Sequence, residues 1–111
     1  MQKKEIYKYI DRNIDAHVKN IQDWVKQQSV SWDNLGMGDA WKIVYESYKK
    51  LGCQTVEIIP GKYYPGIFAY YDAGSKYTIH NYCMYDTRTV EDPTKWDFDP
   101  WGGEILQYDG H

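Results

Sequence analysis

The chain has 111 residues, with 13 Lys and Arg against 16 Asp and Glu, for a formal net charge of −3. That length fits one domain or part of one, and the acidic balance argues against general nucleic-acid binding, which needs a basic face against phosphate. Apolar residues make up 42% and charged residues 26%, the balance of a globular chain rather than a disordered one.

The start, Met1–Tyr7, carries charge with no apolar stretch behind it, so no secretory signal is expected. The longest uninterrupted apolar run is Ile67–Tyr71, far short of the ~20 residues of a membrane helix. The expectation is a cytoplasmic protein without membrane contact. Residues 3–28 place Ile6, Ile10, Ile14, Val18, Ile21 and Val25 at spacings of 4, 4, 4, 3 and 4, one stripe of an α-helix. His17 flanks that stripe and reads as a boundary residue. Ser29, Ser31, Asp33, Asn34, Gly36 and Gly38 predict a connection over 28–39.

A second helix is predicted over 39–51, where Ala40, Val44, Tyr48 and Leu51 are spaced 4, 4 and 3. Lys49 and Lys50 suit the negative end of its dipole, and Gly52 stands where a left-handed cap belongs. Then the period changes. Strands are predicted over 53–59, closed by Pro60-Gly61, and over 66–71 and 76–85. The Asp72-Ala73-Gly74-Ser75 turn makes the last two a predicted hairpin. A loop over 86–103 leads to a further strand, 104–108, and to Asp109-Gly110, a hairpin-turn dipeptide.

This order implies an α/β fold in which two N-terminal helices pack on a mixed sheet. Ile6, Ile10, Ile14, Val18, Ile21, Val44 and Leu51 should then be buried. A return strand is expected after Asp109-Gly110, so residues 1–111 read as part of one domain, cut within a hairpin. Cys53 and Cys83, 30 residues apart and without a Cys-x-x-Cys pairing, read as small buried thiols rather than a disulfide. Twelve Tyr, five Trp and two Phe are a heavy aromatic load, suited to interfaces and ligand walls as well as to cores.

One stretch carries more. Tyr82-Cys83-Met84-Tyr85-Asp86-Thr87-Arg88-Thr89-Val90 is followed by Asp92-Pro93, Trp96, Asp99-Pro100-Trp101 and Glu104-Ile105. It resembles the first metal-site segment of the zinc-dependent metallopeptidase family that includes carnosine dipeptidase, aminoacylase, acetylornithine deacetylase and succinyl-diaminopimelate desuccinylase. The preceding elements match in order: a long first helix, a Ser-containing connection, a helix ending in Leu-Gly, a Val-Glu strand and a hairpin. The resemblance covers nearly all of this chain but only the opening part of such an enzyme. It implies the N-terminal portion of a catalytic domain that hydrolyses amide bonds of small peptides or N-acyl amino acids. Its cofactor would be zinc or another divalent metal, and its partner the remainder of the catalytic domain, in the same or a second chain.

In that family, metal ions lower the pKa of a bound water and polarise the scissile carbonyl, while a Glu moves the proton. The His of an H-x-D motif ligates the metal, and the Asp two residues on orients it from the same strand face. Met84 stands at the His position, and a thioether is a poor ligand for a hydrolytic zinc. Asp86 keeps the Asp position and is the candidate catalytic residue. Three roles stay open for it: metal ligand, substrate contact, or cap of the following loop.

No neighbour completes a metal site. His80 would share a strand face with Met84 but lie ~13 Å away; it reads as a hydrogen-bonded strand histidine. Cys83 would face the other way from His80, and His111 is the last residue. Glu91, Asp92, Asp97 and Asp99 match no Ca²⁺ loop and read as a solvated acidic loop. Trp96 and Trp101 read as packing that loop onto the sheet, with a substrate cleft as the alternative. The substrate-binding residues are unmarked. Residues 1–111 alone are expected to bind no metal and to hydrolyse nothing. The alternative function is a non-enzymatic module, a degenerate or truncated relative whose Tyr- and Trp-rich surface binds a ligand or a protein. A homo-oligomer is compatible with both.

Overall fold

The computed structural model describes residues 2–107. The chain divides into two compact units, one built from residues 28–89 and the other from the residues on either side of them.

In the discontinuous unit, the helix expected over 3–28 is two helices, α1 (Lys3–Arg12) and α2 (Ile14–Lys26). The break is Asn13. Its backbone leaves the helical region at φ −111 and ψ 13, and its side-chain amide donates to the Tyr9 carbonyl at 2.7 Å. A short polar side chain competes with the helix's own backbone bonds, which is why Asn favours helix ends over interiors. The apolar stripe survives the break but is not buried: Ile6, Ile10, Ile14 and Ile21 are 41–63% exposed, and Val18 is half-buried. Among its described residues this unit supplies no sheet to cover the stripe: residues 104–107 form no strand, and the unit's other element is a 3₁₀ turn at Pro93–Lys95. The rest of the expected final strand, the Asp109-Gly110 turn and His111 lie outside the described residues.

The second unit holds α3 (Met37–Leu51) and an antiparallel hairpin of β1 (Thr55–Ile59) and β2 (Gly66–Tyr70). The helix begins two residues earlier than its pattern predicts, behind Gly36, and stops where predicted. Gly52 is left-handed at φ 89, and its N–H reaches the Tyr48 and Lys49 carbonyls. The register pairs Val56 with Ala69 and Ile58 with Ile67, and α3 packs against both strands. Along β2, half-buried Ile67 and Ala69 alternate with exposed Phe68 and Tyr70. One face of the sheet is therefore covered and the other is bare.

The α/β class holds in its coarse form, as helices with a sheet. Among the described residues, however, the sheet has two strands and is antiparallel, not mixed. The predicted hairpin between 66–71 and 76–85 does not form: β2 pairs with β1 on one edge, and among the described residues no strand pairs with its other edge. At its end, the Gln54 amide acts as a surrogate strand: its Nε2 donates to the Asp72 carbonyl at 3.2 Å, and the Asp72 N–H donates to its Oε1 at 2.9 Å. The expected turn does form, with Gly74 N–H donating to Asp72 Oδ1 at 2.8 Å. Residues 76–85 beyond it join no ladder, and Tyr77, Ile79, Tyr82 and Met84 are 74–83% exposed. A period-two pattern becomes a strand only when a partner edge supplies the bonds.

The buried core of the described residues is Val30, Met37 and Ala40 with Ser29, all within residues 28–89. Val44 is half-buried and Leu51 exposed, against expectation. The accessible surface is 9962 Å². Two separate compact bodies of half this mass would together expose roughly 7,700 Å². The uncovered isoleucines and tyrosines are where the difference shows. No helix among the described residues is long and apolar enough to cross a membrane.

Candidate ligand site around Asp86

Asp86 is held by the connection that precedes α3. Val30 and Leu35 exchange backbone hydrogen bonds of 2.9 and 3.0 Å, closing a tight corner over Ser31–Asn34. The Thr87 N–H donates to the Ser29 carbonyl at 2.9 Å, and Thr87 forms a parallel bridge with Val30. Ser29 and Val30 are fully buried, so this junction is anchored in the core of its unit. From the corner, Ser31 Oγ donates to Asp86 Oδ2 at 2.7 Å. The Tyr64 hydroxyl braces the same corner, forked between the Ser31 carbonyl at 3.1 Å and Asn34 Oδ1 at 2.9 Å.

Tyr85 points away from Asp86's partner and into the hairpin loop, where its hydroxyl donates to the Pro65 carbonyl at 2.7 Å. Burial pushes the Tyr85 phenol above its usual 10.0, and the charges of Asp86 and Tyr64 raise it further. Met84, Asp86, Thr87, Arg88 and Thr89 line an open cavity of about 450 Å³ together with Ser31 and Trp32. It is an open depression in the surface, with Asp86, Thr87 and Arg88 themselves exposed. Trp32 is 89% exposed and Met84 74%; both are large apolar groups left in solvent beside a carboxylate.

Met84 and Asp86 thus share a cavity, although the strand expected to carry them is absent. His80 and Cys83 are exposed and do not line it. Cys53 is half-buried, and both thiols are free; the expectation of a buried thiol fails at Cys83, which lies in the exposed stretch 76–84 that joins no strand. Ser31, Trp32 and Arg88 were not singled out as site residues by sequence pattern. The only available signal was a bulky indole in a connection otherwise built of turn formers.

The acidic loop is occupied with its own turns. Asp92 Oδ1 accepts from the Thr94 N–H at 3.0 Å and from the Thr94 hydroxyl at 2.6 Å; the hydroxyl and then the N–H hold its carboxyl below the usual 3.8. Asp99 Oδ1 accepts from the Trp101 N–H at 2.9 Å. The loop packs on α2 rather than on a sheet. Gln22 Nε2 donates to the Gly103 carbonyl at 2.7 Å, and Trp96 and Phe98 line an apolar cavity of about 640 Å³ with Val18, Ile21 and Val25.

Among the described residues, no three His, Cys, Asp or Glu side chains converge on one point. Asp86 with a thioether neighbour does not fit a zinc or other hydrolytic metal, which takes at least three protein ligands. No family model matches the chain, and no curated protein or solved structure matches it.

Proposed function

We propose that this chain is the N-terminal, ligand-contacting part of a metal-dependent hydrolase of amide bonds in small peptides or N-acyl amino acids, of the carnosine dipeptidase and aminoacylase family. The observation that carries the reading is the fixed placement of Asp86. The one carboxylate of the metal-site-like segment is clamped by Ser31 to a core-anchored junction and lines an open depression in the surface. A residue that merely capped its own loop would bond to the residues just after it, as Asp92 and Asp99 do. Asp86 instead bonds across 55 positions of sequence.

The metal and its ligands would have to come from polypeptide outside residues 2–107, since the described residues do not fit one. The uncovered stripe of α1 and α2, the bare face of β1–β2 and the exposed stretch 76–84 offer the surface against which such polypeptide would pack. What the chain's own residues do is more limited: Ser31 orients Asp86, and Tyr64 and the Val30–Thr87 bridge keep the corner in place. The open indole of Trp32 and the missing metal ligands favour a second reading, a binding module without turnover. Metal analysis, intact mass and hydrolysis assays on the protein purified from its natural source separate the two. A metal-containing species that includes this chain and cleaves Ala-Leu or N-acetyl-leucine supports the hydrolase. Metal-replete protein inert towards both leaves the module.

A further inference from the structure

We propose that this chain pairs with a second copy of itself, α1 of each copy lying antiparallel along α2 of the other and against the groove beside it. The inference goes beyond the hydrolase reading and does not need it: it gives the helical stripe to a second copy and leaves the bare β1–β2 face to other polypeptide. The groove is the open apolar cavity of about 640 Å³ between α2 and the acidic loop. More than half of Ile21, Trp96, Phe98, Ile105 and Leu106 lies in solvent there. Contiguous apolar surface left bare in this way marks an interface. Its spacing suits a helix as the partner. Ile14, Val18, Ile21 and Val25 stand 4, 3 and 4 residues apart, the rhythm by which one helix seats the side chains of another. The face continues into α1 at Ile6, because Asn13 keeps helical bonds on both sides. Its N–H donates to the Tyr9 carbonyl at 3.2 Å, and its carbonyl accepts from the His17 N–H at 3.0 Å.

Charge selects α1 as that helix. Asp97 and Glu104 line the groove and make no ion pair among the described residues. Lys3 and Lys4 also make none, and they stand in the first turn of α1, where positive charge opposes the helix dipole. Lys3 lies on the stripe, one turn before Ile6. Antiparallel pairing about Ile14 sets Ile6 against Ile21 and Val25 of the second copy, and Lys3 and Lys4 beside its Asp97 and Glu104. A two-fold axis repeats the contact, so both grooves fill and the assembly closes at two. The area suffices. The accessible surface of 9962 Å² is roughly 2,300 Å² more than two compact bodies of this mass would expose, and a stable dimer takes about 800 Å² from each partner.

The test is sedimentation equilibrium of the 111-residue chain in low salt from about 5 to 200 μM, a span that reaches the weak end of standard-size interfaces. At the upper end the mass should be twice 13.2 kDa. Two double variants should each weaken the dimer about tenfold by setting like charges face to face: Lys3→Glu with Lys4→Glu, and Asp97→Lys with Glu104→Lys. The first cannot act by melting α1, because acids in the first turn suit the dipole. Mixed one to one, the two variants should dimerise again, since each supplies in both contacts the charge that the other lacks. A folding defect in either would not be repaired by the other. Ile21→Asp should leave a monomer with unchanged β1 and β2 amide signals. A wild-type monomer throughout the range, a dimer indifferent to these changes, or a mixture no tighter than its components would overturn the proposal. Each of those results leaves the stripe to the remainder of the hydrolase, and that reading stands or falls by its own assays.

Discussion

Truncating Met37 to alanine tests where the stability of this chain resides. Met37 is 1% exposed and sits with Ala40 at the start of α3, beside the junction that holds Asp86. The change deletes the equivalent of three methylene groups, a transfer loss of about 2.4 kcal/mol at ~0.8 kcal/mol each. Incomplete collapse of the void adds to this, so a total of about 3 kcal/mol is expected, within the usual range for Met→Ala. A body of this size has ~3–9 kcal/mol of stability in all, so the loss should be severe for residues 28–89. Urea denaturation followed by amide signals of α3, β1 and β2 should show the midpoint fall by about 2 M or more, taking a slope near 1 kcal/mol/M. Ile10→Ala is the control. It removes a larger share of the sequence's apolar stripe, yet at 41% exposure it should cost under about 1 kcal/mol. If Met37→Ala costs less than the Ile10 change, the core assignment is wrong.

Three further outcomes follow from particular contacts. Gly103 adopts φ +62, and a Cβ there would sit 2.8 Å from the Gln22 carbonyl oxygen; Gly103→Ala should release the loop from α2 and cost about 2 kcal/mol or more, read as faster amide exchange around Trp101. Thr94→Val should raise the Asp92 carboxyl back towards 3.8, measured by carboxyl NMR. Because that carboxyl is held low in the folded chain, its contribution to stability is present above pH 3.8 and fades as the pH falls through its lowered value; the variant should lose that part of the acid dependence. Tyr85 is held above 10.0, so the folded chain keeps a proton that the unfolded chain sheds there. Its contribution is whole below pH 10.0 and fades as the pH rises through the raised value. Asp86→Asn should lower that titration, and an unchanged ultraviolet phenolate curve would count against the Asp86 charge as a cause.

Local chemistry made much of this molecule readable without coordinates. The heptad-like stripe of isoleucines specified helix over most of 3–26, and Gly52 specified where α3 stops, because both depend on bonds within a few residues of chain. The turns at Asp72 and in the acidic loop were readable for the same reason: short side chains bond to nearby N–H groups. Asn13 was readable in principle, as an amide in a helix interior, but a continuous apolar stripe outweighed it.

What crosses the chain was decided by tertiary structure alone. Whether 76–85 becomes a strand depends on ladder bonds to a partner edge, and the segment joins neither edge of the β1–β2 pair; no pattern within the segment encodes that choice. The burial of the α1–α2 stripe depends on a covering layer that the described residues do not contain, so amphipathicity announced a face without naming its cover. The surroundings of Asp86 show the same division. Its position could be read from Tyr82–Val90, but its partner Ser31 lies 55 residues earlier. Only the Val30–Thr87 bridge, anchored on buried Ser29 and Val30, brings carboxylate, hydroxyl and indole to one cavity, because contacts distant in sequence form only when a shared core closes the loop between them.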